Sequence, residues 1–424
     1  MPLKVLLITY YWPPAGGGGV FRWLKMSRYF QENNIDLHIY TPSNPEFPAI
    51  DGGLVEEVSE TLTIIKRPIL EPYSLYKKFT GKKKDEKIYS GFINEKKSLA
   101  QNLSIWIRGN FFIPDARKFW IKPSIKFLNN LQSSEKFDAV ISTGPPHSMH
   151  LIARGLKQKH PALKWIADFR DPWTNIDFYN QLKLTVRADR KHRKLEKSVL
   201  EEADKVVSVG YIMAKELKEI TQNADVEVIP NGYDHLEFTE HAQLTSSFSI
   251  MHLGSMNRDR NPEVLWRSLA DLKSQGLKPL VKIIGQTDVS VKASIQKYEL
   301  KDQVVFEDFV PHKEAIMKMK SAHVLLLVVN NTPNAAGILT GKVFEYLGAQ
   351  RPIIAIGPEE GDVKKLLKDF VHAFYISYDD VEECKKVISE VMTSKIEVSP
   401  NGILKYSRKA LAEKYSKLLK EVCS

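Results

Sequence analysis

Residues 4–30 read KVLLITYYWPPAGGGGVFRWLKMSRYF: an apolar run, four consecutive glycines (Gly16 to Gly19), and then a segment with helical periodicity. Glycine loses more conformational freedom on folding than any other residue, so four together at the end of a strand need a reason. The backbone N–H groups of such a loop, with the N-terminus of the next helix, can bind an anion. The segment therefore predicts a strand, a ligand-contacting loop and a helix that begins near Phe21.

The same alternation of short β-branched segments and helical segments continues along the chain, which is typical of parallel sheets covered by helices on both faces. Six strands are predicted at 4–11, 36–42, 62–68, 137–146, 164–172 and 205–210. The pattern restarts at 248–256, 280–286, 304–311, 323–330, 351–358 and 373–380, with helices at 262–275, 312–321, 341–350 and 360–369. We predict an α/β protein of two doubly wound parallel-sheet units, joined near 225–245.

The composition of the 424 residues, 43% hydrophobic and 26% charged with a formal net charge of +10, is typical of a soluble globular protein and argues against disorder. No apolar run approaches the ~20 residues of a membrane span, and the N-terminus does not resemble a signal peptide. With Cys384 and Cys423 as the only cysteines, no disulfide framework is expected, which fits a reducing cytoplasm.

Much of the positive charge lies in two stretches. One is RADRKHRKLEK at 187–197, and the other is a lysine cluster formed by Lys77, Lys78, Lys82, Lys83, Lys84 and Lys87. Each could be ordinary solvated surface. The cluster lies in a stretch, 71–125, that breaks the strand–helix alternation and is rich in aromatic residues. That stretch is either an inserted subdomain packing Trp106, Phe111, Phe112 and Trp120 into the first core, or an interfacial surface that contacts lipid.

Ligands of open α/β sheets bind beyond the carboxyl ends of the strands. In the second half of this chain, cations follow the strand ends. In LGSMNRDRNPEVLW (253–266), Arg258 and Arg260 precede a helix expected to begin near Pro262. Guanidinium groups beside a helix N-terminus suit a diphosphate; the alternative is a solvated turn.

The segment NAAGILTGKVFEYLGAQRPIIAIG (334–357) is the most informative. Thr340 is expected as a helix N-cap, Gly341 as a position of close approach, and Lys342 in the first turn, where a cation is unfavourable unless an anion is present. Glu345 lies about one turn further on the same helix face and can accept both hydroxyls of a ribose. TGK is not a P-loop here, because the required G-x-x-x-x-G-K spacing is absent.

Polar residues also follow two strands of the first half. The turn in ISTGPPHSMH (141–150) presents His147, either as an acid, base or hydrogen-bonding group or as a structural histidine. ADFRDPW (167–173) places Asp168, Arg170 and Asp171 at a strand end. One carboxylate is expected to hold Arg170 and the other to face the ligand. These four residues are the catalytic candidates.

Together these segments resemble the retaining glycosyltransferases of the GT4 family (glycosyl transferases group 1), which have the GT-B fold. The segments that carry the resemblance are the glycine loop, VIPNGYD (228–234), HLGSMNRDRN (252–261), DFVPHKEAIMKMKSAHVLLL (308–327) and GILTGKVFEYLGAQRPIIA (337–355). The resemblance implies two Rossmann-like domains facing across a cleft. It also implies transfer of a sugar from a nucleoside-diphosphate sugar of UDP or GDP type with retained anomeric configuration, without a cofactor or an obligatory metal.

The resemblance also implies roles for individual residues. Glu345 is similar to the acid that holds the donor ribose, and the other implied donor-binding residues are Gly17, Gly18, Asn231, Ser255, Arg258, Arg260, Phe309, Val310, Gly337, Leu339, Thr340, Gly341 and Lys342. Three positions depart from the family pattern. Gly337 stands where the family has a Glu that contacts the transferred sugar, Ser255 where it has an Arg, and Arg170 where it commonly has a His.

The expected domains are an N-terminal acceptor domain, 1–225 with the C-terminal helix 404–424, and a donor domain, 226–403. The function expected is glycosyl transfer of hexosyltransferase type (EC 2.4) to a lipid-linked glycan acceptor in bacterial surface polysaccharide synthesis. The expected location is the cytoplasm, with peripheral attachment to an anionic membrane surface at the inner face of the plasma membrane. The alternatives are a sugar-nucleotide epimerase of similar shape and a basic nucleic-acid-binding protein; since no nucleic-acid motif appears, no nucleic-acid partner is expected.

Overall fold

A computed structural model describes residues 2–71 and 99–424 of the chain. The chain divides into two compact units, one running to Pro230 and including Arg408–Ser424, the other Asn231–Ser407. The lysine cluster lies outside the described residues. Within the described ranges, no helix combines the length and the apolar character needed to cross a bilayer.

The first unit is built on a parallel sheet of seven strands in the order β3-β2-β1-β4-β5-β6-β7. The strands are β1 (Leu3–Ile8), β2 (Ile35–Pro42), β3 (Thr63–Arg67), β4 (Ala139–Gly144), β5 (Lys164–Phe169), β6 (Lys205–Ser208) and β7 (Val226–Val228). β7 was not predicted from the sequence. It has only three residues, which is too short for a recognisable alternation of polar and apolar side chains.

Helices cover both faces of this sheet. They are α1 (Gly18–Ser27), α2 (Leu99–Phe111), α3 (Lys118–Glu135), α4 (Ser148–Lys159), α5 (Val186–Glu202), α6 (Tyr211–Ile220) and the C-terminal α13 (Arg408–Cys423). Because side chains alternate along a strand, Val5 and Leu7 of β1 pack with α1 and α13 while Leu6 and Ile8 pack on the opposite face. On the first of these faces Tyr415 of α13 makes an edge contact with Trp23 of α1, with ring centroids 5.1 Å apart.

The second unit is built on a parallel sheet of six strands in the order β10-β9-β8-β11-β12-β13. The strands are β8 (Ser249–Leu253), β9 (Leu280–Ile284), β10 (Val304–Glu307), β11 (Val324–Val328), β12 (Ile353–Gly357) and β13 (Ala373–Ser377). The helices are α7 (Glu263–Ser274), α8 (Val289–Lys297), α9 (His312–Ser321), α10 (Gly341–Gly348), α11 (Asp362–Leu367) and α12 (Val381–Thr393). The central strands β8, β11 and β12 are buried along their whole length, as expected of a sheet covered on both faces.

Both sheets reverse their strand order once, between β1 and β4 in the first unit and between β8 and β11 in the second. Ligands of doubly wound sheets bind at these reversal points, beyond the carboxyl ends of the two strands. The glycine loop follows β1, and Gly254 follows β8. The predicted fold class, two doubly wound parallel-sheet units, is confirmed.

The aromatic residues of the 71–125 stretch do not all pack into the first core. Trp120 is buried there and stacks on Tyr40 with ring centroids 4.9 Å apart, whereas Phe111 is 58% exposed. The interpretation that this stretch is simply an inserted part of the core therefore holds for Trp120 and is wrong for Phe111.

Candidate functional site

At the strand-order reversal of the second unit, the loop after β8 lies against the helix that follows β11. A Cβ atom built on Gly254 would overlap Nζ of Lys342 and lie 2.6 Å from its Cε. Gly254 has φ +114°, a conformation that side chains other than glycine's rarely adopt. A Cβ atom on Gly285, the residue after β9, would in turn lie 2.9 Å from the Gly254 carbonyl. Two glycines thus allow the loops to approach closely enough for Lys342 to lie over the end of β8.

Arg260 is fixed beside this point by two hydrogen bonds. Its Nε donates to Oδ1 of Asn330, just beyond β11, at 2.9 Å, and its Nη1 donates to the carbonyl of Ser255 at 2.9 Å. A backbone hydrogen bond of 2.6 Å from Asn331 to Asp259 ties the same two loops together. The β8 and β11 exit loops therefore hold the guanidinium in place before any ligand arrives.

The two cations are close enough to affect each other's protonation. Burial and the nearby Arg260 lower the pKa of Lys342 to about 8, although Glu345 acts in the opposite direction. Burial and Lys342 also lower the pKa of His252 to about 3, so this histidine is neutral, and its Nδ1 lies 2.9 Å from the Leu326 carbonyl across the reversal point. The environment thus disfavours the positive charge of Lys342, and an anion bound beside it would restore that charge.

α10 begins where predicted, at Gly341, with Thr340 in the N-cap position and extended backbone. The expectation that the Thr340 hydroxyl caps the helix is wrong, because its Oγ1 is buried and makes no hydrogen bond to the first turn. The helix is anchored further along, where the Tyr346 hydroxyl accepts a hydrogen bond of 3.0 Å from the backbone N–H of Leu253. Glu345 lies one turn from Gly341, and its side chain is partly exposed.

The PNGYD and TGKVFEYLG segments meet within the second unit. A Cβ atom on Gly348, the last residue of α10, would lie 2.6 Å from the Tyr233 ring. Tyr233 is buried, and Gly232 before it has φ +67°. Asn231 lies two residues before Tyr233, which contacts the C-terminal end of α10.

The remaining donor-binding candidates differ in accessibility. Phe309 is 84% exposed, Val310 packs partly on the core, and Ser255 is exposed with its carbonyl bound to Arg260. Gly337 ends a short 3-10 turn before α10, and the Leu339 side chain is buried in the core. Leu339 can therefore reach a ligand only through its backbone. Arg258, which begins the turn Arg258–Arg260, is exposed.

In the first unit, Arg170 links three loops at the strand-order reversal. Its guanidinium donates to the carbonyl of Gly19 at 2.6 Å and to that of Pro145, while its backbone N–H donates to the Gly144 carbonyl at 2.9 Å. A Cβ atom on Gly19 would lie 3.2 Å from Arg170 Nη1 and 3.1 Å from the Tyr11 ring. The last glycine of the run therefore makes room for Arg170 and Tyr11, whereas Gly17 (φ +88°) and Gly18 have nothing within 4 Å of a Cβ position.

Asp168 does not hold Arg170. Its carboxylate is fully buried and accepts hydrogen bonds from the Arg22 guanidinium, from Trp23 Nε1 at 3.0 Å and from the Thr143 hydroxyl at 2.8 Å. Arg22 completes the arrangement by donating to the Pro230 carbonyl at 2.7 Å. Of the two carboxylates expected to hold Arg170, Asp168 does not do so; the guanidinium donates to carbonyls, and Asp171 acts on it electrostatically.

The other two catalytic candidates of this unit have contrasting surroundings. Asp171 is exposed at the end of β5. His147 is buried, stacks on Trp173 with ring centroids 4.6 Å apart, and has a pKa well below its usual value because of burial and the neighbouring His150. His147 is therefore a neutral imidazole whose buried Nδ1 has no hydrogen-bond partner among the described residues.

The sequence reasoning did not identify Arg22, Asn330 or Gly254 as parts of these sites. Gly254 lies near the end of the predicted strand 248–256, and a glycine there was a usable sign of close approach. Arg22 lies inside an amphipathic helix and Asn330 at a strand end, and neither position carries a local signal for a partner so distant in sequence.

Residues 237–410 match the family model described as "Glycosyl transferases group 1". The match covers less than half of the chain and falls mainly on the second unit. No curated protein sequence matches the chain significantly.

Solved structures of similar fold extend over both units. A glycosyltransferase from Rickettsia africae ESF-5 has a TM-score of 0.62 at 13% identity, covering 99% of this chain and 98% of that chain. An alpha,alpha-trehalose-phosphate synthase (UDP-forming) from Burkholderia xenovorans has a TM-score of 0.59 at 10% identity, covering 99% and 100%. A putative UDP-N-acetylglucosamine 2-epimerase from Listeria monocytogenes has a TM-score of 0.56 at 9% identity, covering 99% and 96%. At these identities the likeness establishes the fold alone. The chain thus has the GT-B fold, and its second unit carries the sequence pattern of the glycosyl transferases group 1.

Proposed function

We propose that this protein is a retaining glycosyltransferase of the GT4 type that takes its sugar from a nucleoside-diphosphate sugar. The observation that carries the proposal is the meeting of Arg260, Lys342 and the N-terminus of α10 at the strand-order reversal of the second unit. Two cations and the positive end of a helix dipole form a site for a compact dianion. The match to glycosyl transferases group 1 covers these same residues.

The proposed reaction breaks the bond between the anomeric carbon and the diphosphate oxygen and forms one to an acceptor hydroxyl oxygen on the same face of the sugar. The leaving diphosphate takes the bonding electron pair, and its oxygen accepts the proton of the hydroxyl. Negative charge develops on the diphosphate in the transition state, so Arg260, Lys342 and the helix N–H groups stabilise the transition state more than the ground state. Arg258, on the same loop, adds positive charge. Glu345 binds the ribose hydroxyls.

The first unit supplies the acceptor side in this proposal. Arg170 fixes the relative positions of the glycine loop and the turn at Pro145, so the backbone of Gly17 and Gly18 is presented without side chains. The neutral His147 can hydrogen-bond an acceptor hydroxyl, and the exposed Asp171 lies at the end of the adjacent strand. Asp168 acts as a positioning residue, since its oxygens are occupied by Arg22, Trp23 and Thr143.

We propose a lipid-linked glycan as the acceptor, used at the inner face of a bacterial membrane in surface polysaccharide assembly. The support is the combination of aromatic and basic residues in the sequence of the 71–125 stretch, together with the exposed side chains of Phe111 and Phe119. Basic groups of this kind are attracted to anionic headgroups.

The deciding experiment incubates the purified protein with UDP- and GDP-sugars and lipid-linked or short glycan acceptors, and follows free nucleoside diphosphate and product anomer. We expect acceptor-dependent release of one nucleoside diphosphate and a product with the donor's anomeric configuration. Arg260→Ala and Lys342→Ala should each raise the barrier by about 2–4 kcal/mol, whereas Lys313→Ala, at an exposed position of the same unit, should not. Unchanged rates in both site variants would refute the site.

The same assay separates the alternatives. An epimerase would return an intact isomerised nucleotide sugar without any acceptor. A nucleic-acid-binding protein would release no nucleoside diphosphate and would bind oligonucleotides with a strong dependence on salt concentration.

A further inference from the structure

One side of α2 exposes a row of large apolar side chains. Leu103, Ile107 and Phe111 follow one another at intervals of four residues, so they lie along one side of the helix. They are 57%, 38% and 58% exposed. Amphipathic helices of soluble proteins normally bury such a row, so this one indicates a surface that contacts something else.

The side of α2 that carries Gly109, opposite the row, and the flank that carries Asn110 are packed on the first unit. A Cβ atom on Gly109 would lie 2.8 Å from the Leu182 carbonyl oxygen. The Asn110 side chain accepts the Thr185 N–H at 2.7 Å and donates to the Lys183 carbonyl at 3.2 Å. The exposed row is therefore a consequence of specific packing on the other side of the helix.

Basic side chains surround the row. Arg108 lies on α2 itself and is exposed. Lys118 donates to the Phe111 carbonyl, and its Nζ lies 4.9 Å from the centre of the Phe119 ring, which is itself 45% exposed.

A lysine on α5 acts electrostatically on Lys118. Burial and, as a smaller cause, the positive charge of Lys191 lower the pKa of Lys118. An anion bound here would offset the repulsion between these like charges.

The α2–α3 segment has an excess of basic residues, although Arg117 is buried and its charge is compensated by Glu71. Residues 99–134 contain five basic residues (Arg108, Arg117, Lys118, Lys122 and Lys126) and a single acid, Asp115. The Asp115 carboxylate is turned inward and accepts hydrogen bonds from the backbone N–H and the hydroxyl of Ser148, each at 2.8 Å. The partner that fits is therefore apolar at its centre and anionic around it.

We propose that the exposed side of α2, defined by Leu103, Ile107 and Phe111 with the surrounding Arg108, Lys118 and Lys191, docks onto an anionic lipid bilayer. The apolar row enters the interface, and the cations contact the headgroup phosphates. A second copy of this chain fits less well, because a symmetric contact would bring the same cations together. This membrane-docking proposal rests on the proposed function, which includes a lipid-linked acceptor. It adds to that function the surface that contacts the membrane.

The test measures how the full-length protein partitions onto vesicles of phosphatidylcholine with and without phosphatidylglycerol, in the absence of any donor. Leu103→Ser, Ile107→Ser and Phe111→Ser are combined in one variant. The matched control carries Val289→Ser, Val371→Ser and Leu404→Ser, three exposed apolar positions of the other unit. We expect the partition coefficient of the row variant to fall at least about ten-fold and that of the control to stay within about two-fold.

A second pair of variants tests the charge. Arg108→Glu with Lys191→Glu should weaken binding to phosphatidylglycerol vesicles by more than about ten-fold, while Lys215→Glu with Lys417→Glu, at exposed positions on α6 and α13, should have a much smaller effect. Raising the salt concentration should weaken binding of the wild type. Thermal unfolding with and without UDP shows whether each variant is folded and retains its nucleotide site.

The proposal is overturned if a folded row variant binds vesicles as well as the wild type, or if the wild type binds neutral and anionic vesicles equally or neither. It is also overturned if the row variant turns a wild-type dimer into a monomer in solution, because the row would then be a contact between copies. Failure of the glycosyltransferase proposal appears separately, as absence of nucleoside-diphosphate release with a detergent-solubilised acceptor, and leaves the vesicle result standing.

Discussion

The side chain of Lys342 occupies the space that a Cβ atom on Gly254 would need, with its Cε 2.6 Å from that position. Gly254 lies in the loop after β8 and Lys342 in the first turn of α10, which follows β11, and they meet because β8 and β11 are neighbours in the sheet. Gly254 is therefore part of the proposed diphosphate site, although it offers no side chain to a ligand.

Gly254→Ala is expected to displace Lys342 and to weaken the binding of the nucleoside diphosphate about as much as Lys342→Ala does. The physical reason is steric, since the added methyl group and the ammonium cannot occupy the same space. Isothermal titration with UDP and GDP measures the change.

The matched control is Gly276→Ala. Gly276 also has a positive φ, +86°, but nothing lies within 4 Å of its Cβ position, so the variant has comparable backbone strain without the clash. Equal losses of affinity in the two variants would show that strain, and not the displacement of Lys342, is responsible.

Nucleotide binding should weaken as the pH rises above about 8. The pKa of Lys342 in the folded protein is lowered to about 8, so the lysine loses its proton above that pH, whereas in the unfolded chain it would keep it to about 10.4. A bound diphosphate favours the protonated form, and binding above pH 8 must therefore take up a proton. Titrations between pH 7.5 and 9.5 in buffers of different ionisation enthalpy measure that uptake.

Lys342→Met should abolish the proton uptake and flatten the pH dependence. If the uptake persists in this variant, another group is responsible for it.

Asn330→Ala should lower kcat/KM roughly 5- to 10-fold by releasing the Arg260 guanidinium from its hydrogen bond of 2.9 Å. The estimate corresponds to about 1 kcal/mol, the usual net value of one such bond. Asn331→Ala, at the neighbouring exposed position, leaves that bond intact and should change kcat/KM less than two-fold. Steady-state release of nucleoside diphosphate measures both variants, and an equal effect in the two would contradict the proposed role of Asn330.

Asp168→Asn should lower the free energy of unfolding of the first unit by about 3–5 kcal/mol, because it leaves the buried Arg22 guanidinium without its counter-charge. Urea unfolding followed by tryptophan fluorescence is the appropriate measurement. The exposed pair of Lys215 and Glu219 provides the comparison, where Glu219→Gln should cost less than about 1 kcal/mol. A loss below 1 kcal/mol in Asp168→Asn would show that the Arg22 pair contributes little to stability.

The sequence predicted the strands well because most of them are continuous apolar runs that end at glycine or proline. β8 and β12 illustrate this, and β7 was missed because three residues cannot show a period. Helix starts were recognised where a glycine or proline marks them, as at Gly341 and Pro262. Local chemistry was therefore sufficient for most of the strands, but it missed β7 and placed the start of α1 near Phe21, whereas the helix begins at Gly18.

Contacts between distant segments could not be predicted in this way. Asp168 and Arg170 are two residues apart, yet one binds Arg22 and the other binds the carbonyls of Gly19 and Pro145. Which carboxylate pairs with which cation depends on sheet order and on the face of the strand, and neither is written in the local sequence. The same limit applies to Thr340, whose position at the start of α10 was predicted and whose missing cap bond was not.

The packing of α13 on α1 has a consequence for biosynthesis. Tyr415 covers Trp23 and Phe30, so the first core remains incomplete while residues 231–407 are being made. At the usual pace of translation, roughly 20–80 s separate the appearance of Trp23 from that of its cover. During that interval the nascent chain presents an apolar surface to the cell, and chaperones that recognise such surfaces should engage the N-terminal unit until the last helix emerges.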